Sequence, residues 1–377
     1  MAKKAYIGID GVARAVKKGY IGIDNVAKQI KKAYIGIGGV ARPCWSGGGQ
    51  LTYYGKITDL SVERRNLAAA TVGGYALFGG GWDGTACSKK VDAYDKSLTQ
   101  TFPAELVLGR SHLTAVSAVD YVLFAGGHYT DQVTSQDVDL YNTSLTKSKG
   151  DALSRPRSYA VSTSLGDLAL IFGSMAVGYL NKDLDVYRYG TRISTVEISE
   201  EKKEFLGATS VGGYALFAGG TITGGNRTAS VDAYDSSLTR TTPTLLSVAR
   251  NSLSATTVGD YALFGGGYAA SDKATVDAYN SSLTRTIATE LSAARREGTA
   301  TTIEDYALFG GGHAGTNFFS IVDAYDSSLT RTTPTELSKK RRHNASTTVG
   351  KFALFAGGSS GTGEESYYDT VDAYTVI

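Results

Sequence analysis

A basic residue and an aspartate recur in step seven times along the 377-residue chain, and both can bind charged groups. Each cation stands eleven residues before a copy of an apolar segment first seen at Tyr75–Gly81, and each aspartate follows in a later segment resembling Val-Asp-Ala-Tyr. The cations could form a basic ring that holds an anionic ligand, or each could pair with an aspartate within or between repeats. The cations are Arg64, Arg110, Arg157, Lys203, Arg250, Arg295 and Arg341, and the aspartates are Asp92, Asp139, Asp185, Asp232, Asp277, Asp323 and Asp372.

Residues that could carry metal or nucleophilic chemistry are few. Cys44 and Cys87 are too few for a disulfide framework and lack the spacing of metal ligands. A copper-radical oxidase would need clustered histidines near a Cys–Tyr pair, and a sialidase-like enzyme would need three clustered arginines and a nucleophilic tyrosine. The sequence therefore favours a binding protein over an enzyme and predicts neither a cofactor nor a metal site. The histidines, which fall in three different repeats, are His112, His128, His313 and His343.

The apolar segment Tyr-Ala-Leu-Phe-Gly-Gly-Gly sets the organisation of the chain. Its copies follow one another at spacings of 46, 47, 46, 47, 45 and 46 residues, a period typical of stacked or radial repeats. Each period contains a small-residue strand, the apolar strand, the Val-Asp-Ala-Tyr strand and a fourth strand, which is the pattern of a propeller blade. The copies begin at Tyr75, Tyr121, Leu168, Tyr214, Tyr261, Tyr306 and Phe352.

The two ends of the repeat region indicate a closed ring. The sequence ends at Val371–Ile377, a third strand without a fourth, while an orphan fourth strand lies at Leu51–Arg64. We expect this strand to complete the last blade and so remove the free sheet edges. The predicted fold is all-β. It is a seven-bladed β-propeller of four-stranded blades over residues 49–377, preceded by a small β-hairpin-repeat arm over residues 1–48.

The repeat resembles the kelch repeat in its order and period. The resemblance rests on the glycines after the apolar strand, on the later Tyr-Asp pairs (for example Tyr94-Asp95 and Tyr234-Asp235), and on the basic residue that opens the next repeat. It covers about residues 50–377 and implies a kelch-like propeller. Two departures separate the chain from eukaryotic kelch adaptors: threonine replaces the expected tryptophan, as at Thr241, and the third repeat lacks the glycine doublet.

The arm consists of three units with a 14-residue period, each centred on a turn dipeptide such as Asp10-Gly11. These dipeptides tolerate positive φ, so each unit is predicted to be a hairpin within a cationic β-meander that has one apolar stripe. Nine Lys or Arg against two Asp give residues 1–48 a charge of +7. The lysines could anchor an assembly or merely protect a sheet edge, and nucleic-acid binding is less favoured because no aromatic platform accompanies them. Together with the propeller, the units resemble tail or baseplate proteins of phages and phage-like particles of Gram-positive bacteria.

The loops between the second and third strands differ in every repeat, whereas the turns between the first and second and between the third and fourth strands hardly vary. A rigid scaffold with variable, aromatic-rich loops on one face is typical of a recognition surface, although unconstrained loops also drift. The predicted ligand-binding residues are Trp82, His128, Tyr129, Tyr179, Tyr268, His313, Phe318, Phe319, Tyr367 and Tyr368.

The sequence favours a non-catalytic, host-surface (receptor) binding component of a phage tail or phage-like particle. Its expected partners are a bacterial surface glycan or protein and other tail proteins, and a homo-oligomer is one option. The alternatives are an intracellular kelch-type interaction scaffold and, third, a propeller enzyme. With 38 basic and 36 acidic residues, and neither a secretory signal nor a membrane-spanning stretch, we expect synthesis in the bacterial cytoplasm and no membrane or nucleic-acid partner.

Overall fold

The computed structural model describes residues 49–130, 133–173, 182–196, 204–361 and 366–377 in full. It also describes the backbone of 175–176, 179–180 and 197, and of six strands between residues 6 and 46. All regular secondary structure in these residues is β-strand. Two compact units comprise Met1–Leu51 with Val376–Ile377, and Thr52–Thr375.

The N-terminal strands pair as three hairpins, as the turn dipeptides predicted. Ile9 lies opposite Val12 and Ile23 lies opposite Val26, which is the register of a two-residue turn. In the described backbone the strands form three two-stranded sheets, so the expected single meander is wrong for these residues. The turn residues lie outside the described residues, as do the side chains of the predicted apolar stripe. The strands are β1 (Tyr6–Ile9), β2 (Val12–Ala15), β3 (Gly19–Ile23), β4 (Val26–Ile30), β5 (Lys32–Ile37) and β6 (Val40–Ser46).

The repeat region forms seven antiparallel, four-stranded sheets, which are the blades of a β-propeller. Short additional hairpins occur in the loops of blades 2, 3, 6 and 7. The strands are β7 (Leu51–Ile57); in blade 1, β8 (Ala68–Val72), β9 (Tyr75–Gly79), β10 (Val91–Asp95) and β11 (Gln100–Thr101); in blade 2, β12 (Thr114–Ala118), β13 (Tyr121–Ala125), β14 (His128–Thr130), β15 (Val133–Thr134), β16 (Val138–Asn142) and β17 (Lys147–Lys149); in blade 3, β18 (Val161–Leu165), β19 (Leu168–Phe172), β20 (Met175–Ala176), β21 (Tyr179–Leu180), β22 (Asp183–Arg188) and β23 (Thr191–Glu197); in blade 4, β24 (Gly207–Val211), β25 (Tyr214–Ala218), β26 (Val231–Tyr234) and β27 (Arg240–Thr241); in blade 5, β28 (Ser254–Val258), β29 (Tyr261–Gly265), β30 (Val276–Asn280) and β31 (Arg285–Ile287); in blade 6, β32 (Thr299–Ile303), β33 (Tyr306–Gly310), β34 (His313–Ala314), β35 (Asn317–Phe318), β36 (Val322–Asp326) and β37 (Arg331–Thr332); and in blade 7, β38 (Ala345–Val349), β39 (Phe352–Ala356), β40 (Ser359–Ser360), β41 (Ser366–Tyr367) and β42 (Val371–Val376).

The hydrophobic core lies between adjacent blades. The second and third strands are buried on both faces because each blade is covered by a neighbour on either side. Within blade 1 the rings of Phe78 and Tyr94 meet edge to face at 6.0 Å, and both belong to one hydrophobic cluster with Leu354 of blade 7. The same Phe–Tyr contact recurs in blade 2 between Phe124 and Tyr141.

The glycine doublet after each apolar strand is a packing requirement. Gly80 has a φ of +68°, a region that side chains rarely adopt. A Cβ atom there would lie 2.5 Å from the carbonyl oxygen of Arg110 in the next blade. Any side chain at this position would therefore push two blades apart.

The first propeller strand closes the ring, as predicted. β7 is the outer strand of blade 7, beside β42. The Tyr53 hydroxyl of β7 donates a hydrogen bond of 2.6 Å to Asp372 of β42. The first and last strands of the propeller are thus hydrogen-bonded neighbours in one sheet. Without β7, the edge of β42 would be unpaired.

Candidate functional site at the channel mouth

The variable loops and the segments that lead into each blade lie on one face of the propeller, called here the variable face. Arg65 and Trp82 exchange two backbone hydrogen bonds of 2.8 and 3.0 Å, which join the entry segment of blade 1 to its variable loop. Equivalent bridges place His128, Tyr268 and His313 at the same position in their own blades. Four of the predicted ligand-binding residues are therefore structural equivalents.

The turns that hardly vary between the repeats lie on the opposite face. Gly73, in the turn between β8 and β9, lies against Thr143, in the turn between β16 and β17 of the next blade. Gly259 lies similarly against Ser327. The two kinds of invariant turn therefore meet each other, away from the variable loops.

The arginine series lies inside the blades. The Arg64 guanidinium lies 2.6 Å from the Asp92 carboxylate, and both side chains are fully buried. These arginines also donate to backbone carbonyls, as Arg110 does to Gly126. A basic ring at the channel mouth is therefore not formed by these six residues, whose side chains bind the aspartate of their own blade. The described pairs are Arg64–Asp92, Arg110–Asp139, Arg157–Asp185, Arg250–Asp277, Arg295–Asp323 and Arg341–Asp372.

In blade 4, Lys203, the seventh cation of the series, lies outside the described residues. Asp232 binds Arg240 of the fourth strand, with a nitrogen–oxygen distance of 2.6 Å. The same kind of contact joins Asp277 to Arg285 in blade 5 and Asp323 to Arg331 in blade 6.

A second series, two residues after each cation, surrounds the mouth of the central channel; we call it the mouth ring. All seven residues have φ between 53° and 56°. This left-handed conformation is energetically unfavourable for residues other than glycine. Six of the seven backbone amides donate to the carbonyl of the preceding residue of the series, as His112 does to Asn66 at 3.0 Å. The hydrogen bonds hold the strained residues in place, and side chains of six different types are thereby arranged around one opening. The mouth ring consists of Asn66, His112, Tyr159, Phe205, Ser252, Glu297 and His343.

Sequence reasoning missed the mouth ring. A signal was present, because this position keeps a fixed offset from the repeat while its residue type changes in almost every copy. In the sequence His112 and His343 lie in different repeats, 231 residues apart. They converge because equivalent positions of every blade face the same axis, and their rings lie 6.4 Å apart.

Glu297 is the acidic centre of the mouth ring. Its Oε2 atom lies 2.8 Å from Nε2 of His343, 3.0 Å from Nε2 of His313 and 3.0 Å from a nitrogen of Arg342. Burial by itself raises the pKa of Glu297, but the hydrogen bonds and charges of the two histidines outweigh it and hold the pKa well below its usual range. The carboxylate is therefore ionised and ties blade 6 to blade 7.

An aromatic wall forms the other side of the mouth. The ring of Tyr159 lies 4.1 Å from that of His112 and 4.8 Å from that of Phe205. His112 Nδ1 also lies 3.2 Å from His128 Nε2. Burial, aided by the charges of neighbouring histidines and Arg65, lowers the pKa of His112 well below its usual value, and burial raises the pKa of Tyr159. Both side chains are consequently neutral at pH 7.

Between the two sides lies a cavity of about 210 Å³, called here the mouth pocket. It leads toward a central channel space of about 260 Å³, which is lined by three residues from each blade, mostly small. The residues lining the mouth pocket are Asn66, Leu67, His112, Leu113, Tyr159, Ala160, Phe205, His343 and Asn344.

Most of the predicted aromatic residues of the loops are half-buried. Tyr268 is half-buried between the guanidinium groups of Arg227 and Arg296, at 4.5 and 4.4 Å from its ring centre. Phe318 stacks on His313, and the guanidinium of Arg342 lies 5.6 Å from the centre of the Phe318 ring. These contacts join loops of adjacent blades, so the rings are held by their neighbours.

The other predicted loop residues differ in exposure. Arg65 lies 5.3 Å from the ring centre of Tyr367, and the Tyr368 hydroxyl is hydrogen bonded to Ser360. Tyr129 is 38% exposed and His313 only 3%. Trp82, His128 and Phe319 are half-buried, and the side chain of Tyr179 lies outside those the structure describes.

Within the described part of the chain, no three His, Cys, Asp or Glu side chains are placed to hold a metal ion. Nor does that part contain a helix long and apolar enough to cross a membrane.

Comparison with known proteins establishes the fold alone. No protein-family model matches the chain, and neither does any curated protein. A solved structure described as that of YjhT superposes with a TM-score of 0.59 at 15% sequence identity, covering 74% of this chain and 99% of the other. Likeness at this identity shows a shared propeller architecture and carries no activity with it.

Proposed function

We propose that this protein is a non-catalytic recognition protein that binds its target through the variable face. The observation that carries the proposal is the contrast between the two faces. Buried Arg–Asp pairs and the turns of the opposite face repeat from blade to blade. In contrast, the side chains of the mouth ring and of the loops beside it differ between blades and lie around one opening. Repetition fixes the scaffold, and the variation is concentrated where a ligand can reach it.

More specifically, we propose a kelch-like host-surface binding component of a phage tail or phage-like particle. The resemblance of the N-terminal units and of the repeat supports this assignment. In this proposal residues 1–48 attach the propeller to other tail or baseplate proteins, and the variable face binds a bacterial surface glycan or protein receptor. The particle would be assembled in the bacterial cytoplasm.

Binding of the purified, fluorescently labelled protein to isolated cell walls of Gram-positive bacteria tests the proposal. We expect saturable binding that Tyr129→Ala weakens, because this exposed aromatic side chain lies on the variable face. Truncating an aromatic residue at the centre of an interface typically costs about 2 kcal/mol or more.

Ser236→Ala and Ser327→Ala, in exposed turns between third and fourth strands, are the matched controls and should leave binding unchanged. No binding to any cell wall, or loss of binding in the turn variants with retention in Tyr129→Ala, would contradict the proposal.

A further inference from the structure

The residue that follows each buried cation is arginine in three consecutive blades, 6, 7 and 1. Its backbone forms the bridge to the variable loop of its own blade, as that of Arg296 does with His313. Uncharged side chains serve at this position in three other blades, so the fold does not require arginine here. We call Arg65, Arg296 and Arg342 the arginine arc; the equivalent residues of the other blades are Ser111, Ser158, Glu204 and Asn251.

Each arginine of the arc lies against an aromatic ring in the variable loop of the preceding blade. A guanidinium group is attracted to the face of an aromatic ring, and this attraction orients the side chain. The arc is therefore held in place by the neighbouring loops at three successive blade junctions. The pairs are Arg296–Tyr268, Arg342–Phe318 and Arg65–Tyr367, with distances of 4.4, 5.6 and 5.3 Å from the guanidinium carbon to the ring centre.

A second guanidinium group lies beside the ring of Tyr268. Arg227, from the variable loop of blade 4, is exposed and lies 4.5 Å from the centre of this ring. Its guanidinium forms no ion pair with a described residue, including Glu204 of the same blade. Arg296 has one carboxylate beside it, that of Asp272 at 3.1 Å. Two like charges with one counter-charge attract an anion. We call Arg227, Tyr268 and Arg296 the tyrosine clamp.

The donors of the tyrosine clamp reach solvent. The side chain of Arg296 is 22% exposed, and its Nε and Nη1 atoms contact His313 and Asp272. Neither its Nη2 atom nor the hydroxyl of Tyr268 has a hydrogen-bond partner among the described residues, and neither atom is buried. Together with the exposed guanidinium of Arg227, the clamp offers accessible N–H and O–H donors from three side chains to one anionic group.

Arg342 and Arg65 continue the positive charge towards blade 1. The side chain of Arg342 is 18% exposed and lies 3.0 Å from the Glu297 carboxylate. Arg65 is half-buried, and after burial the charge of Arg342 is among the causes that lower its pKa, so the two guanidinium groups are close. Four arginines, counting Arg227, against Asp272 and Glu297 leave an excess of two positive charges along this part of the rim.

This arrangement suits a ligand with several anionic groups. The arginines come from four blades (4, 6, 7 and 1) and follow the rim of the variable face. Single-stranded nucleic acids bind on open aromatic platforms, whereas guanidinium groups here lie over the rings of Tyr268, Phe318 and Tyr367. A charged glycan needs no free aromatic ring, because charges and hydrogen-bond donors are sufficient for it.

We propose that the tyrosine clamp and the arginine arc bind an anionic surface glycan, a polymer whose repeating units carry phosphate or carboxylate groups. One anionic group binds Arg227, Nη2 of Arg296 and the hydroxyl of Tyr268, and further groups of the chain lie along Arg342 and Arg65. This inference rests on the proposed recognition function and names the ligand class of the variable face.

The test is titration of the full-length protein with fluorescently labelled poly(glycerol phosphate), polygalacturonate and dextran of similar length, followed by fluorescence anisotropy. We expect at least one of the two anionic polymers to bind and to compete with cell walls, and the neutral dextran not to bind. Affinity for the anionic polymer should fall roughly tenfold between about 50 and 500 mM salt, because salt screens exposed charges. The two anionic probes distinguish a phosphate ligand from a carboxylate ligand.

Arg227→Gln removes an exposed charge that has no ion pair, so the melting temperature should stay unchanged while affinity falls by about threefold or more. The double variant Arg227→Gln/Arg296→Asn, whose second change installs the residue found in blade 5, should lose about tenfold or more. Lys96→Gln is the matched control, because it removes an exposed positive charge from a turn of the opposite face and should bind normally. All these variants retain the basic residues 1–48, so differences between them report on the variable face.

The inference is overturned if neither anionic polymer binds, if dextran binds as tightly, or if a single-stranded oligonucleotide binds more tightly than both. It is also overturned if the double variant binds as the wild type does, or if Lys96→Gln weakens binding equally. Cell-wall binding with which neither anionic polymer competes would contradict this inference and leave the recognition function standing. Polymer binding that depends on Arg227, without binding to any cell wall, would support the inference and contradict the recognition function.

Discussion

Nε2 of His343 lies 2.8 Å from Oε2 of Glu297, and the backbone amide of His343 donates to the carbonyl of Glu297 at 3.1 Å. The two residues occupy equivalent positions in adjacent blades, so one pair of residues joins those blades through both backbone and side chain. The same carboxylate binds His313 and Arg342. The charge state of this cluster therefore bears on the stability of the closed ring.

Acid should destabilise the protein beginning below about pH 6.5. His112 and His343 have folded-state pKa values below the ordinary histidine value, chiefly because they are buried, and Glu297 has a net lowered pKa. Each group binds fewer protons folded than unfolded, so the free energy of unfolding falls as the pH falls. The two histidines lower the free energy of unfolding below about pH 6.5, and Glu297 lowers it below about pH 4.3. Each group contributes up to about 1.4 kcal/mol per pH unit. Urea unfolding between pH 8 and pH 4 measures the slope.

His112→Asn is the matched variant, because blade 1 carries Asn66 at the same left-handed position. Its stability should decline less steeply between pH 7 and pH 5 than that of the wild type. Identical slopes for the two proteins would show that His112 does not titrate as its surroundings indicate.

Breaking a buried Arg–Asp pair should cost far more than breaking an exposed one of similar length. Arg64→Met leaves the fully buried Asp92 carboxylate without its guanidinium and should lower the free energy of unfolding by about 3–5 kcal/mol. Lys90→Met breaks the exposed pair with Glu105, which has a separation of 2.7 Å, and should cost about 0–1 kcal/mol. Denaturant midpoints measure both, and equal losses would contradict the assigned structural role.

Ring closure should depend on β7. Deleting residues 1–48 retains β7 and should leave a propeller that unfolds cooperatively. Deleting residues 1–62 removes β7 and the buried Leu60, exposes β42 as a sheet edge, and should cause aggregation. Size-exclusion chromatography and thermal melting distinguish the two. A soluble 63–377 fragment with a cooperative melt would show that the strand is dispensable.

The N-terminal arm should serve attachment and not recognition. Residues 1–48 carry a charge of +7, whereas the whole chain has a net charge of +2, and we expect removal of residues 1–46 to abolish incorporation into the particle. Binding of the shortened protein to cell walls should persist, since the variable loops belong to the propeller. Immunoblots of purified particles report incorporation, and normal incorporation of the shortened protein would rule the attachment role out.

The scaffold could be predicted because it is encoded locally and seven times over. Strand chemistry, turn residues and the glycines required at positions such as Gly80 recur at a constant period, so the sequence itself shows which positions packing constrains. Closure followed from counting strands, and the structure confirms it by placing β7 beside β42. For Arg64 the spacing allows either a basic ring or a pair with Asp92, because spacing alone does not reveal burial. The structure shows the pair.

The site could not be predicted, because proximity there arises only when the ring closes. His112 and His343 belong to blades 2 and 7, far apart in sequence. In the closed ring only blade 1 lies between these blades, and the two imidazole rings are 6.4 Å apart at the mouth. Tyr268 belongs to a variable loop, and only the neighbouring blades bring Arg227 and Arg296 to its ring. The sequence by itself determined the repeating unit, since that is fixed by local propensity and packing within one period. The tertiary structure alone decided which of the varying side chains share the mouth pocket, because only the circular arrangement of the blades sets the distances between them.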